Sequence, residues 1–156
     1  MKRHIVIASH STLAKGMTEA LKFFEGNDLE ITTLSAYVDN KPIENQIKEI
    51  MEGFPEDDEV VIMTDLLGGS VNQKFFPYVM RPHTHLIAGM NLPLAMSITM
   101  DTSKDYLTEA DINKFISDSQ DQIKYVNAIA MSSDEDDEDE WLEEKSSSLW
   151  SICTKL

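Results

Sequence analysis

Four kinds of residue in this chain could do chemistry together: a histidine, a carboxylate, a glycine pair and hydroxyls. His10 closes the run Ile5-Val6-Ile7-Ala8-Ser9, and Ser11 follows it where a helical pattern opens. Asp65 closes a second run, Val60-Val61-Ile62-Met63-Thr64, and leads into Leu66-Leu67-Gly68-Gly69-Ser70. A histidine at a helix start meets free amides and the positive end of the helix, which disfavour imidazolium. The neutral ring keeps one bare nitrogen, and that nitrogen is a nucleophile. A carboxylate that accepts from Nδ1–H fixes the tautomer, leaves Nε2 bare and stabilises positive charge on the ring during attack. Helix-start amides and close-approaching glycines make anion sites. Ser11, Gly68, Gly69 and Ser70 are therefore the candidate phosphate-binding residues, with His10 and Asp65 as the catalytic pair. The set describes a histidine that accepts a phosphoryl group. Each member also has a structural reading: a satisfied turn residue, a tight turn, a helix cap. Placement at one edge of the fold is what would make them a site.

That placement depends on the elements around them. Residues 4–9 read as a short buried strand. Leu13, Met17, Ala20, Leu21 and Phe24 recur at helical spacing and stop at Gly26. A second strand is expected over 29–37. A helix follows, opened by Pro42 with Asn40 as its cap and carrying Ile43, Ile47, Ile50, Met51 and Phe54. Residues 59–64 form a third buried strand, and a helix from Ser70 carries Val71 and Phe75 until Pro77 limits it. A fourth strand is expected over 86–90. Pro93 opens a short helix, and Thr108 with Asp111 forms a capping box for a helix to about Gln122. Residues 123–131 read as a last strand.

Strands alternating with amphipathic helices predict an α/β fold, a doubly wound and mostly parallel sheet of four strands. Right-handed crossovers bring the carboxyl ends of those strands to one edge, where ligands bind at the switch point. Strands one and three are commonly neighbours there, so His10 and Asp65 can face each other. His83 and His85 precede strand four and His4 begins strand one, so all three are expected at the surface of the opposite edge. This separation argues against a histidine metal site, and no cofactor is expected.

Charge narrows the partners. The 156 residues hold 13 Lys+Arg against 28 Asp+Glu, a net charge of −15. Phosphate backbones and anionic lipid surfaces repel such a chain, so no nucleic-acid partner is expected. Residues 131–156 contain nine acids and two bases, with the run Asp134-Glu135-Asp136-Asp137-Glu138-Asp139-Glu140. This run repels itself and lacks the spacing and turn glycine of a calcium loop. The expected organisation is a domain over 1–131 and an acidic, disordered tail or linker over 132–156, in which Trp141, Leu149 and Trp150 are apolar islands. No apolar run approaches the roughly 20 residues of a membrane-spanning helix. The start of the chain lacks the long apolar core and cleavage site of a secretory signal, and Cys153 stands alone. A reducing, cytoplasmic setting is expected.

With these residues in place, the chain resembles the mannose-class IIA component of the bacterial phosphoenolpyruvate-dependent sugar phosphotransferase system (PTS). The likeness rests on three blocks, Ile5-Val6-Ile7-Ala8-Ser9-His10, Asp65-Leu66-Leu67-Gly68-Gly69-Ser70-Val71-Asn72 and Ala88-Gly89-Met90-Asn91-Leu92-Pro93. It spans residues 1 to about 130. It implies that His10 is the phosphorylated histidine, supported by Asp65 and Ser70. It implies a phosphoryl donor, the phosphocarrier protein HPr, and an acceptor, a cognate IIB component on another chain that serves the membrane IIC/IID permease. It further implies a homodimer in which the last strand, 123–131, runs antiparallel and is exchanged between subunits, which would also protect an open sheet edge. Leu66-Leu67, Val71 and Pro77 depart from the family's usual pattern and bear on the partner surface and sugar branch. A phosphotransferase subunit of a dihydroxyacetone kinase shares the domain type but usually lacks the Gly-Gly-Ser-x-Asn run. A regulatory binding module gated by phosphorylation is the alternative from another class. A serine hydrolase lacks its Gly-x-Ser-x-Gly, and a receiver domain lacks its acidic pair after strand one.

Overall fold

Alternation along the first strand builds two hydrophobic layers at once. Ile5 and Ile7 point to one face of the sheet, and Val6 and Ala8 to the other. The computed structural model describes residues 1–132. Its elements are β1 (Arg3–His10), α1 (Leu13–Glu25), β2 (Ile31–Ala36), α2 (Ile43–Glu52), β3 (Glu59–Thr64), α3 (Ser70–Phe75), β4 (Thr84–Ala88), α4 (Leu92–Thr99), α5 (Glu109–Gln120) and α6 (Val126–Ser132). A 3₁₀ stretch, Phe76–Met80, continues α3 where Pro77 ends the α-helix.

The four strands pair in the order β2-β1-β3-β4, all parallel. The α/β class and the parallel sheet expected from the sequence are thus found. One face packs Ile5, Ile7, Val61 and Met63 against Ala14 and Leu21 of α1, Leu94 and Ile98 of α4 and Ile112 of α5. The other packs Val6, Ala8, Val60 and Ile62 against Ile43, Ile47 and Met51 of α2 and Val71 and Phe75 of α3. Each fully buried aliphatic or aromatic side chain contributes about 1.5–3 kcal/mol of transfer free energy. Every residue of β3 is buried, with residues 60–63 a continuous apolar run between Glu59 and Thr64. Ala8 pairs with Leu34 and Thr64, and His10 with Ala36. This register carries His10 and Asp65 out of the carboxyl edge side by side, where the chain turns left after β1 and right after β3.

Several local expectations need correction. Pro42, not Asn40, holds the cap position of α2, and no side chain caps that helix. Strand β4 starts at Thr84 rather than Leu86 and ends before Gly89, whose φ of 80° turns the chain out of the sheet. His85 is therefore a strand residue, half-buried, with Nε2 3.4 Å from the buried carboxylate of Glu59. His4 is half-buried too, stacked on Phe54 at 4.3 Å between centroids and 2.9 Å from Asp58 Oδ2. His83 is exposed, as expected, with its ring stacked on Tyr106. Within the single chain, the segment expected to be exchanged between two copies carries a turn and a short helix, α6, Val126–Ser132. The capping box at Thr108 and Asp111 is present, with the Asp111 amide donating to Thr108 Oγ1 and the Thr108 amide to Asp111 Oδ2. The acidic run, Trp141, Leu149, Trp150 and Cys153 lie outside the described residues.

The amino edge is closed by one buried acid. Glu59 pairs with Arg3, which reaches on to Asp101 Oδ2 at 2.6 Å, and Glu59 Oε1 accepts from the Leu107 amide at 2.6 Å. The first strand and the segment before α5 are thereby joined at the end of the sheet away from His10.

Candidate active site

Three of the residues singled out from the sequence meet at the carboxyl edge. The His10 ring donates and accepts on opposite sides. Its Nδ1 lies 2.8 Å from Asp65 Oδ2, and its Nε2 lies 2.9 Å from Ser70 Oγ. The side chain of His10 is 35% exposed and that of Asp65 is 8% exposed, so the ring is open to a visitor while its carboxylate is shielded.

Asp65 is satisfied by donors on both oxygens. Oδ2 accepts from the His10 backbone amide at 2.8 Å as well as from Nδ1, and Oδ1 accepts from the Leu66 amide at 2.9 Å. Burial pushes the carboxyl up, but the hydrogen bonds from the His10 ring and amide, attraction to the ring and the Leu66 amide outweigh it. The Asp65 carboxyl is held below the usual carboxylate range. An ionised Asp65 has no proton to give, so Nδ1 carries the hydrogen and Nε2 is the acceptor. Ser70 then donates to Nε2.

The loop after β3 is set by its own residues. Gly68 adopts φ 70°, which suits glycine, and its amide donates to Asn72 Oδ1 at 3.2 Å. Asn72 Nδ2 donates to Thr64 Oγ1 at 3.0 Å, which ties α3 back to the end of β3. A Cβ on Gly69 would stand 3.2 Å from His10 Cε1 and 3.1 Å from Leu66 Cβ. The imidazole lies against the backbone there, so any side chain at this position makes His10 or Leu66 shift by a few tenths of an ångström. Asn72 carries this bracing role, which its polar type within an apolar helix pattern could have signalled.

The residues expected to bind phosphate take distinct places around the ring. The amides of Ser11, Gly68 and Gly69 are already donated, to the carbonyl of Ala36 at 2.9 Å, to Asn72 Oδ1 and to the carbonyl of Leu66 at 3.1 Å. These three residues shape the turn around His10, and their N–H groups are spent on the chain itself. Ser11 sits at φ 52° with its side chain exposed at the rim. Ser70 Oγ faces Nε2 of the ring. Ser9, not singled out before, caps α1: its Oγ accepts from the Ala14 amide at 2.6 Å. Tyr37, one residue past β2, was also missed; its hydroxyl donates to Ser70 Oγ at 2.8 Å, and its ring centroid lies 5.7 Å from that of His10.

Around the ring, Leu13, Tyr37, Val38 and Leu66 are exposed, and Leu67 is 88% exposed. Among the described residues, no group of three or more His, Cys, Asp or Glu side chains is arranged to hold a metal ion. No helix among them is long and apolar enough to cross a membrane.

The hydrogen-bonded pair of His10 and Asp65 thus lies at the switch point of a parallel sheet, the edge where such folds hold their ligands. Comparison with known proteins narrows the class. The family profile described as "EIIA-man: PTS system fructose IIA component" matches residues 4–116. The chain belongs to this family of PTS sugar IIA components, the mannose/fructose class, whose members are phosphotransferases in general. A solved structure from Klebsiella pneumoniae subsp. pneumoniae MGH 78578, provisionally described as a phosphoenolpyruvate-dependent sugar PTS permease, is 35% identical. The match covers 81% of this chain and 93% of that one, with a TM-score of 0.76. The mannose/sorbose-specific IIA subunit from Enterococcus faecalis shares the fold at 16% identity, with 80% and 94% coverage and a TM-score of 0.68. The PTS IIA protein associated with the fucose utilization operon of Streptococcus pneumoniae shares it at 22% identity, with 83% and 97% coverage and a TM-score of 0.68. No curated protein matches the chain.

Proposed function

We propose that His10 accepts a phosphoryl group from the phosphocarrier protein HPr and passes it to a cognate IIB component serving a IIC/IID sugar permease. The observation that carries this reading is the opposed pair of contacts on one ring, Nδ1 to Asp65 Oδ2 at 2.8 Å and Nε2 to Ser70 Oγ at 2.9 Å. In the loading step the Nε2 lone pair attacks phosphorus and the P–N bond on the donor breaks. The donor imidazole leaves with that electron pair. The Nδ1 proton stays on the His10 ring, against the ionised Asp65, which balances the positive charge that develops. Ser70 gives up Nε2 as an acceptor and turns its proton to a phosphoryl oxygen. Unloading to the IIB component is the reverse with a new acceptor. Positioning and electrostatics supply most of the rate in such a transfer.

Three further features support a protein donor over a small molecule. The ring is only partly exposed, the edge around it carries the apolar side chains of Leu13, Val38, Leu66 and Leu67, and the family is a phosphotransferase family. A homodimer belongs to this reading. Exposed Ile123, Tyr125 and Val126 give the C-terminal segment apolar surface to bury against a second copy. Sedimentation equilibrium tests it, and a monomer at high micromolar concentration removes it.

The decisive experiment is phosphate transfer from phosphoenolpyruvate through the general transfer enzyme and HPr. Wild-type protein takes up acid-labile phosphate on His10, and His10→Ala takes up none. Full labelling of His10→Ala overturns the assignment. Adding a cognate IIB protein drains the label; retention of the label points instead to a phosphorylation-gated regulator.

A further inference from the structure

Tyr37 stands just past the end of β2 with φ 65°, a left-handed backbone that a residue with a side chain adopts at a cost of about 1–3 kcal/mol. Core packing does not hold it there, because the residue is 55% exposed. What it gains is a hydrogen bond from its hydroxyl to Ser70 Oγ at 2.8 Å. Ser70 has one proton and two lone pairs to distribute. One lone pair accepts from Tyr37, and the proton is aimed at His10 Nε2, 2.9 Å away. On the far side of the ring Nδ1–H donates to Asp65, which has no proton to return. The hydrogen bonds therefore run one way, from Tyr37 to Ser70 to His10 to Asp65.

We infer that Tyr37 is a positioning residue for phosphoryl transfer: it holds Ser70 Oγ as an acceptor, so that the single Ser70 proton stays aimed at the place where the phosphoryl group arrives. This rests on the reading that His10 is phosphorylated. Before loading, the Ser70 hydroxyl keeps its proton and points it at Nε2. When the Nε2–P bond forms and the donor P–N bond breaks, Nε2 ceases to accept and the Ser70 proton moves to a phosphoryl oxygen by rotation about the C–O bond. Tyr37 keeps its proton and its bond to Oγ throughout, so neither hydroxyl gains or loses a hydrogen. Without Tyr37, the Ser70 hydroxyl is free to rotate away to water, and part of the alignment is lost at each turnover.

The test is a double-mutant cycle on loading from phosphorylated HPr with wild type, Tyr37→Phe, Ser70→Ala and the double variant. Tyr37→Phe removes one hydroxyl and keeps the ring beside His10, so the docking surface is preserved. Circular dichroism and thermal melting establish that each variant is folded. The expected result is a fall in kcat of about tenfold in Tyr37→Phe, the loss of one aligned hydrogen bond, with KM for HPr unchanged. Ser70→Ala falls at least as far, and the double variant equals Ser70→Ala. Wild-type kcat in Tyr37→Phe overturns the inference. So does a rise in KM alone, which would make Tyr37 a docking contact, and so does an equal further loss in the Ser70→Ala background, which would mean action independent of Ser70. Failure of the underlying reading is seen separately, as wild-type protein that takes no label on His10.

Discussion

Asp65 Oδ2 accepts twice from His10, once from the backbone amide and once from ring Nδ1, each at 2.8 Å. The carboxylate thus fixes both where the histidine begins and how its ring is turned. With Leu66 donating to Oδ1, both Asp65 oxygens face N–H groups.

Asp65→Asn tests this arrangement with almost no change in shape. An amide nitrogen placed at either position meets an N–H it cannot accept from, an unsatisfied contact of about 1–3 kcal/mol. If the amide nitrogen takes the ring side, Nδ1 becomes the acceptor and the proton moves to Nε2, which is then no nucleophile. The expected outcome is a folded protein that loads about 10²–10⁴ times more slowly, by analogy with other carboxylate–histidine pairs. Single-turnover labelling from phosphorylated HPr gives the rate, and wild-type rates would remove Asp65 from the mechanism.

The glycine pair separates stability from chemistry. At Gly68, φ is 70° and nothing lies within 4 Å of an added Cβ, so Gly68→Ala is strained but clashes with nothing. It should lower stability by about 1–2 kcal/mol and leave loading within a few-fold of wild type. Gly69 has φ −64°, which alanine adopts freely, but an added Cβ meets His10 Cε1 at 3.2 Å. Gly69→Ala should melt near wild type and load at least about tenfold more slowly, because the ring is pushed from its alignment. Denaturant midpoints and loading rates of the two variants check the contrast, and equal loading in both would break it.

Acid should loosen the fold through defined carboxylates. Burial pushes both Asp65 and Asp101 up, but the His10 and Leu66 bonds on Asp65, and the Ser103 and Arg3 contacts on Asp101, hold each below the usual range. The unfolded chain therefore binds these protons first. Their contribution is complete above the unfolded value, ~3.9, and is lost as pH falls through the lower folded values. Denaturant midpoints measured from pH 7 to below about 3 should fall less steeply for an Asp65→Asn, Asp101→Asn double variant than for wild type. An unchanged acid slope would assign the effect to other groups.

Much of the fold was legible because burial writes itself into residue type. Strand β3 lies at 59–64 as read, since the middle of a strand covered on both faces, here residues 60–63, is continuously apolar. The capping box at Thr108 is local chemistry and was equally readable. Strand β4 was placed two residues late because Thr84 and His85 look like turn residues, whereas His85 is drawn toward the buried Glu59 by tertiary contact. The segment 123–131 is rich in β-formers and carries α6 in the single chain, where no second copy offers a strand to pair with. At the site, His10, Asp65 and Ser70 could be placed because each ends a strand or opens a helix. Tyr37 could not: it needs a left-handed turn that glycine or asparagine would normally announce, and it reaches Ser70 only through the parallel register.

Glu59, fully enclosed, gathers Arg3 from the chain's first strand and the Leu107 amide from ahead of α5. The molecule is consequently clasped at its base and open at its crown. If partners dock at His10 as proposed, they press on loops whose foundations are locked roughly a strand's length below, and docking need not disturb the scaffold. A peptide tag fused too tightly against Arg3 would strain that clasp, and its effect would be felt as lowered melting temperature rather than as altered chemistry.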